Sequence, residues 1–433
     1  MSFSITFQKT RVAGVTAAMM LASSTAAMAA EAFIQNGIGA REKALAGAGA
    51  ASSTDATAIS LNPAGLVNVG SQLNVSASFL HLNGGFTSSG TGGFNADGHN
   101  SSEPGWITIP NLAASWRVNW GFVDAVAFSA YGNGGVYTKY KDIANPNCPV
   151  GLSGVICGGS LGITLSQTFY SVAFAKEISS GLSVGIAPIL AKQEGKVEGT
   201  GLFAGFSIDP ANFSNRGTDE SWGAGVRAGV EWKVAPGVRV GVAGNLPIHM
   251  SNFDRYRGLL PEQGDVDIPG TIQAGVAVDV MPNVTVMADY KRIWFNSVGT
   301  VGNPSTNPPP FGADNGPGFG VQDVDVIKLG VEWRTSPVLT VRGGYSYNTA
   351  PTKSRDADLN MMTLGVVQHH ITGGVRYQLT QNWDVEFAAM YAPRASVSGT
   401  ELFFPTHNVE IEMSQFEFTV GATYRFGGSK PAR

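Results

Sequence analysis

Between 222 and 232, apolar and small or polar residues alternate without a break. Trp222, Ala224, Val226, Ala228, Val230 and Trp232 share one face, and Gly223, Gly225, Arg227, Gly229 and Glu231 the other. The same period of two returns at 327–334, 339–348, 383–391 and 416–426; in the last, Phe416, Phe418, Val420, Ala422, Tyr424 and Phe426 oppose Glu417, Thr419, Gly421, Thr423 and Arg425. A period of two belongs to strands with one apolar and one polar face. A soluble sandwich alternates as well, so the connections decide. Six are short: around Asn119, then Ser179-Ser180-Gly181, Ala235-Pro236-Gly237, Met281-Pro282-Asn283, Ser336-Pro337 and Thr380-Gln381-Asn382. Between them lie long stretches rich in Gly, Pro, Asn and Ser, such as 84–103, 134–160, 198–219 and 299–322. Short turns at one end and long loops at the other are the asymmetry of an outer-membrane barrel.

Six short turns, with both termini on one side, predict an all-β, transmembrane antiparallel barrel of about fourteen strands, the even number that closure requires. Trp106, Trp116, Trp120, Trp232, Trp333, Tyr377 and Trp383 fall at strand ends and fit an interfacial aromatic girdle. Composition agrees. The chain is 43% hydrophobic but only 14% charged, against roughly 25% charge in soluble domains. Beyond the N-terminus no stretch reaches the ~18 uninterrupted apolar residues of a membrane helix. With 23 Phe, 8 Trp and 11 Tyr the chain is not disordered. A formal charge of −4 leaves no basic footprint for nucleic acid.

Lys9 and Arg11, the apolar run at 12–21 and the small-residue stretch ending Ala27-Met28-Ala29 predict a secretory signal peptide over 1–29. Cys148 and Cys157 share a short Gly/Pro-rich loop, and an oxidising compartment favours a local disulfide between them. Two cysteines with no neighbouring His make no metal site. Residues 30–71 do not alternate; they are small and mildly polar, too few for a core of their own. The barrel (72–426) would enclose a lumen wider than its own side chains fill, so 30–71 is expected inside it as a plug, with a short helix at 42–50. Asn62-Pro63-Ala64-Gly65 reads as a tight turn. The tail 427–433 departs from the usual aromatic ending and is taken as functionally silent.

These motifs carry a resemblance. Leu45-Ala46-Gly47-Ala48-Gly49, Asp55-Ala56 and Asn62-Pro63-Ala64-Gly65 resemble the N-terminal hatch of the FadL/TodX outer-membrane transporters of long-chain fatty acids and aromatic hydrocarbons. The likeness continues through Asn215-Arg216-Gly217-Thr218-Asp219, Ser221 to Arg227, Val266-Asp267-Ile268-Pro269 and the terminal Tyr424-Arg425-Phe426. It spans nearly all of the mature chain; the cysteine-bearing loop and the C-terminal tail are the departures.

The resemblance implies a passive channel for hydrophobic compounds. Substrate would be captured between extracellular loops, pass to a pocket inside the barrel, and leave when the hatch rearranges, often sideways through the wall. Leu202, Phe203, Phe206 and Phe213 on loop 198–219, with Tyr256, Leu259, Leu260 and Pro261 on 254–266, are the candidate capture groove. The alternative is that they pack the loops together. Because the family's N-terminus approaches the ligand pocket, Phe33 and Ile34 are the matched hatch contacts, or else anchors of that end to the wall. Asn62, Pro63, Ala64 and Gly65 are assigned a structural and gating role. Arg227, Lys328, Arg342 and Arg376 face the lumen and can meet a substrate carboxylate, although inward cations more often pair with acids such as Glu231, Glu332, Glu386 and Glu417. Expected partners are a hydrophobic small molecule, outer-membrane lipid and lipopolysaccharide, with no nucleic acid, no cofactor, no metal and a monomeric barrel.

Other motifs fail. Gly181-Leu182-Ser183-Val184-Gly185 matches a hydrolase elbow but opens a strand rather than a strand-to-helix turn. Asp356-Ala357-Asp358-Leu359-Asn360 begins like a calcium loop, but Met361 replaces the required Gly and Val367 the closing Glu. Adjacent His369 and His370 point to opposite faces. The competing readings are a general porin for small hydrophilic solutes, a barrel enzyme lacking a nucleophile and base, and an adhesin with no need of a plug. Fatty acid and aromatic hydrocarbon remain open as substrates.

Overall fold

The computed structural model describes residues 31–308 and 310–426; the expected signal peptide and the tail beyond 426 lie outside them. In chain order the strands are β1 (Gln72–Gly90), β2 (Gly98–Ser102), β3 (Trp106–Arg117), β4 (Ala125–Tyr140), β5 (Leu161–Ser179), β6 (Leu182–Glu198), β7 (Asp219–Ala235) and β8 (Val238–Asn245). They continue as β9 (Thr271–Met281), β10 (Val284–Ile293), β11 (Val324–Arg334), β12 (Leu339–Asn348), β13 (His369–Gln378), β14 (Trp383–Glu401) and β15 (Phe404–Arg425). Neighbours in sequence pair antiparallel, and β15 closes on β1 from Gln72↔Arg425 to Gly90↔His407. β2 and β3 both pair with β1, one above the other, so they fill one position interrupted at 103–105. The wall is therefore a closed barrel of fourteen strand positions.

Burial is inverted relative to a soluble protein. Ile327 is 56% exposed while its neighbour Lys328 is 1% exposed. Leu329, Val331 and Trp333 also face outward, as do all seven girdle aromatics. The outer surface meets hydrocarbon, and polar side chains turn into the lumen.

Two expected loops are shorter than the composition suggests. Residues 84–90 and 134–140 are strand, although their Gly, Ser and Asn read as loop, because the long ladders of β1 with β15 and of β4 with β5 supply backbone partners. One extracellular connection, Leu402–Phe403 between β14 and β15, is a two-residue turn; these strands simply project far beyond the wall. Cys148 and Cys157 are disulfide-bonded within the loop between β4 and β5.

The N-terminal segment packs on the inner face. Its helix α1 spans Gly39–Ala44 and stops short of the expected 42–50, because the chain turns left-handed at Ala46 and Gly47 and Gly47 N–H returns to the Glu42 carbonyl (2.8 Å). Two 3-10 turns follow, Ala56–Ser60 and Pro63–Asn68. Asn62 opens the second: its side chain accepts from Ala64 N–H (3.1 Å) and donates to the carbonyls of Ala50 (2.7 Å) and Val230 (3.0 Å). Charge fastens the segment to the wall. Arg41 meets Glu332 (3.2 Å), which also takes Arg342 (2.9 Å), and Arg342 reaches Glu386 (3.0 Å). Lys43 meets Glu417 (2.7 Å), and Asp289 accepts from Gly49 and Ala50 N–H.

Candidate functional site

Three cavities descend from the extracellular loops into the lumen. The uppermost, about 810 Å3, is walled by Phe203, Phe213, Leu259, Leu260, Phe311 and Met361, with Asp358 and Glu401 on its rim. The second, about 540 Å3, shares Val197, Leu260 and Phe319 with the first and adds Phe33, Phe253 and Tyr256. The third, about 660 Å3, is polar; Ile34, Tyr131, Phe169, Arg227, Lys291 and Lys328 line it. Phe33 thus belongs to the middle chamber and Ile34 to the lower, so two adjacent residues divide an apolar path from a cationic one.

The loops form the upper walls because their aromatics have no lipid to face and bury against one another. Phe213 packs edge-on against Phe311 (centroids 5.6 Å apart) and Tyr256 donates to the Gly217 carbonyl (2.6 Å). Loop-to-loop packing and cavity lining are therefore the same arrangement for these residues. Leu202 and the exposed Phe206 line none of the three cavities. Asp358 is half-buried, accepting from Leu402 N–H (2.7 Å) and Asn95 (2.8 Å), and burial pushes its carboxyl up to about 6.

Of the four candidate lumenal cations, two are held by acids on neighbouring strands and Lys328 by Glu31 of the N-terminal segment. Arg342 is shared by Glu332 and Glu386, and Arg376 is held by Asp384 (2.7 Å). Lys328 and Arg227 do reach the lower cavity. Arg227 bonds the Tyr131 hydroxyl (3.1 Å) and Asn245 (3.4 Å), and has no ion pair with a carboxylate among the described residues. Asn62 and Pro63-Ala64-Gly65 line none of the cavities; they pack between Ala50 and β6–β7.

The wall has a gap beside the lower chamber. β3 pairs with β4 only from Asn111↔Tyr131 to Arg117↔Ala125. Higher up, contact resumes at Glu103 N–H to the Lys139 carbonyl (2.8 Å). Over the interval between, β4 bulges at Gly132–Gly134 and its free edge is taken by the N-terminal strap: Gly135 N–H donates to Phe33 (2.9 Å) and Gln35 N–H to Asn133 (2.9 Å). Gly134 allows this approach, since a Cβ there would overlap the Phe33 carbonyl. Phe33 also packs on Phe295 (4.7 Å).

Sequence reasoning missed Phe253, Phe311, Phe319, Met361 and Lys291. Lys291 had a signal: it shares the inward phase of Thr285, Met287 and Asp289 along β10. The aromatics of 294–323 had none, being single residues in a stretch without period.

A family model described as outer membrane protein transport protein (OMPP1/FadL/TodX) matches residues 17–426. Among solved structures, the chain is similar to the toluene transporter TodX of P. putida, at 18% identity over 90% of this chain and 99% of that one, with a TM-score of 0.65. A FadL homologue of Pseudomonas aeruginosa matches at 14% identity over 92% and 100%, TM-score 0.67, and the monoaromatic hydrocarbon channel CymD at 17% over 90% and 98%, TM-score 0.54. A search of curated proteins finds no sequence match.

Proposed function

The chain belongs to the outer membrane protein transport family OMPP1/FadL/TodX, a family of outer-membrane channels, and from that premise we propose the route its substrate takes. A hydrophobic compound enters the upper cavity between the loops, moves to the chamber beside Phe33, and leaves through the gap between β3 and β4 when the N-terminal strap withdraws. One observation carries the reading: the residues that close the inner end of the apolar path, Phe33 and Ile34, are the ones that complete the wall at its gap. A single movement of the strap would therefore open both. Each apolar surface along the way recovers roughly 25 cal/mol per Å2 buried, which water in an open pore does not offer. The charged network of Arg41, Glu332 and Arg342 would hold the remainder of the plug in place while the strap moves.

The test is direct titration of the purified barrel with dodecanoate and with toluene, alongside conductance in planar bilayers. Saturable binding of at least one ligand with small conductance is expected. Binding of neither, with large ohmic conductance, would overturn the reading in favour of a general porin.

A further inference from the structure

Near its N-terminal side the strap carries an acid that is drawn into the lumen. Glu31 is fully buried, and its two carboxylate oxygens meet two lysines: Oε1 lies 2.5 Å from Lys328 Nζ and Oε2 2.5 Å from Lys291 Nζ. Glu31 and Ile34 exchange backbone hydrogen bonds in a tight turn (3.2 Å each way), and Ile34 bridges to Gly134 at the wall gap. The carboxylate is thus coupled through four residues to the closure of the wall. Both lysines, with Arg227, line the lower cavity. The acid that lines this cavity, Glu42, is engaged by Ile38 N–H (2.8 Å) and Ser60 (3.1 Å), and the lysine pair has Glu31, just outside the lining, as its ion partner.

We propose that Glu31 is a tethered internal ligand. It occupies a carboxylate seat made by Lys291 and Lys328, and a substrate carboxylate displaces it and so frees the strap. The assignment rests on the transport route above and narrows its substrate class to amphiphiles with one carboxylate head and an apolar tail. The head exchanges with Glu31 charge for charge, so neither lysine is left buried and unpaired, a state that would be strongly unfavourable. The tail stays in the chamber lined by Phe33, Phe253 and Tyr256, next to the Phe33–Ile34 boundary. A neutral hydrocarbon fills the same chamber but has nothing with which to compete for the lysines, so it leaves the strap latched.

The experiment titrates the purified full barrel with dodecanoate and with dodecanol, and follows hydrogen exchange of the strap amides. Dodecanoate should speed exchange at Ile34 and Gln35, and dodecanol should not. Glu31→Gln removes the competing charge and should bind dodecanoate about tenfold more tightly, with dodecanol unchanged; Lys291→Met should weaken dodecanoate alone. Heat-modifiable mobility on gels checks that each variant forms the barrel. Equal strap release by both ligands, or unchanged dodecanoate affinity in both folded variants, overturns this assignment while transport of hydrophobic compounds stands. Binding of neither ligand by the wild-type barrel overturns the assignment, and if toluene does not bind either, the route falls with it.

Discussion

Gly134→Ala isolates the strap from the barrel that holds it. The glycine closes the β4 bulge without a left-handed φ and pairs with Gln167 on β5, so a methyl group there leaves the ladder of the wall intact. Its Cβ would, however, overlap the Phe33 carbonyl. The strap must shift, and the two hydrogen bonds that seat it, Gly135 N–H to Phe33 and Gln35 N–H to Asn133, are lost. At about 1 kcal/mol net each they amount to about 2 kcal/mol, which corresponds to roughly thirtyfold more of the undocked state. Hydrogen exchange at residues 33–36 should accelerate by that order, and bilayer conductance should show a leak absent from the wild type. Gly343→Ala is the control: its Cβ would find only the Thr372 carbonyl oxygen, 4.0 Å away, and exchange of the strap should not change. A folded Gly134→Ala barrel with undiminished strap protection would refute the claim that close approach at β4 holds the strap.

Three further outcomes follow from the same geometry. Arg342→Leu leaves Glu332 and Glu386 short of a shared buried partner and should cost about 3–5 kcal/mol, read as a lower urea midpoint for loss of the folded barrel; a change under about 1 kcal/mol would contradict a supporting network. Phe213→Ala opens the packing against Phe311 in the upper cavity and should weaken dodecanoate binding by about 1–3 kcal/mol in calorimetry, with no loss expected if the loops only cover one another. Asp358 in the loop between β12 and β13 favours its neutral form, with burial raising its carboxyl to about 6 from an ordinary value near 4. The stabilisation of the loop is therefore complete below pH ~4 and lost as pH rises through ~6. Limited proteolysis of 350–368 should be slower at pH 5 than at pH 8, and Asp358→Asn should abolish the difference.

Sequence alone was enough for the wall. The period of two in 222–232 and 416–426 specifies which face meets lipid, because a one-residue slip would place every Trp and Val in the lumen and every Glu and Arg in hydrocarbon. The six short connections then count the strands. It was also enough to place the segment ahead of β1, described from residue 31, inside the barrel, since a segment so small and polar has no other apolar surface to lie against. Local chemistry failed where partners come from far along the chain. Residues 84–90 and 134–140 look like loop until β15 and β5 supply their hydrogen bonds, and α1 ends six residues before the expected 50 because the chain turns left-handed at Ala46 and Gly47.

What only the tertiary structure decided is which of these residues work together. Gly134, Phe33, Glu31, Lys291 and Lys328 come from one end of the chain and from strands β4, β10 and β11, and no spacing in the sequence relates them. Arg227, Lys328, Arg342 and Arg376 look alike as inward cations on a dyad strand, yet Arg342 and Arg376 are consumed by cross-strand acids while Lys328 and Arg227 reach the cavity. The physical reason is that period two assigns a side chain to a face of the wall and no more. Its partner depends on the register around the closed barrel and on where the plug lies against it, and both are fixed by contacts between residues hundreds of positions apart.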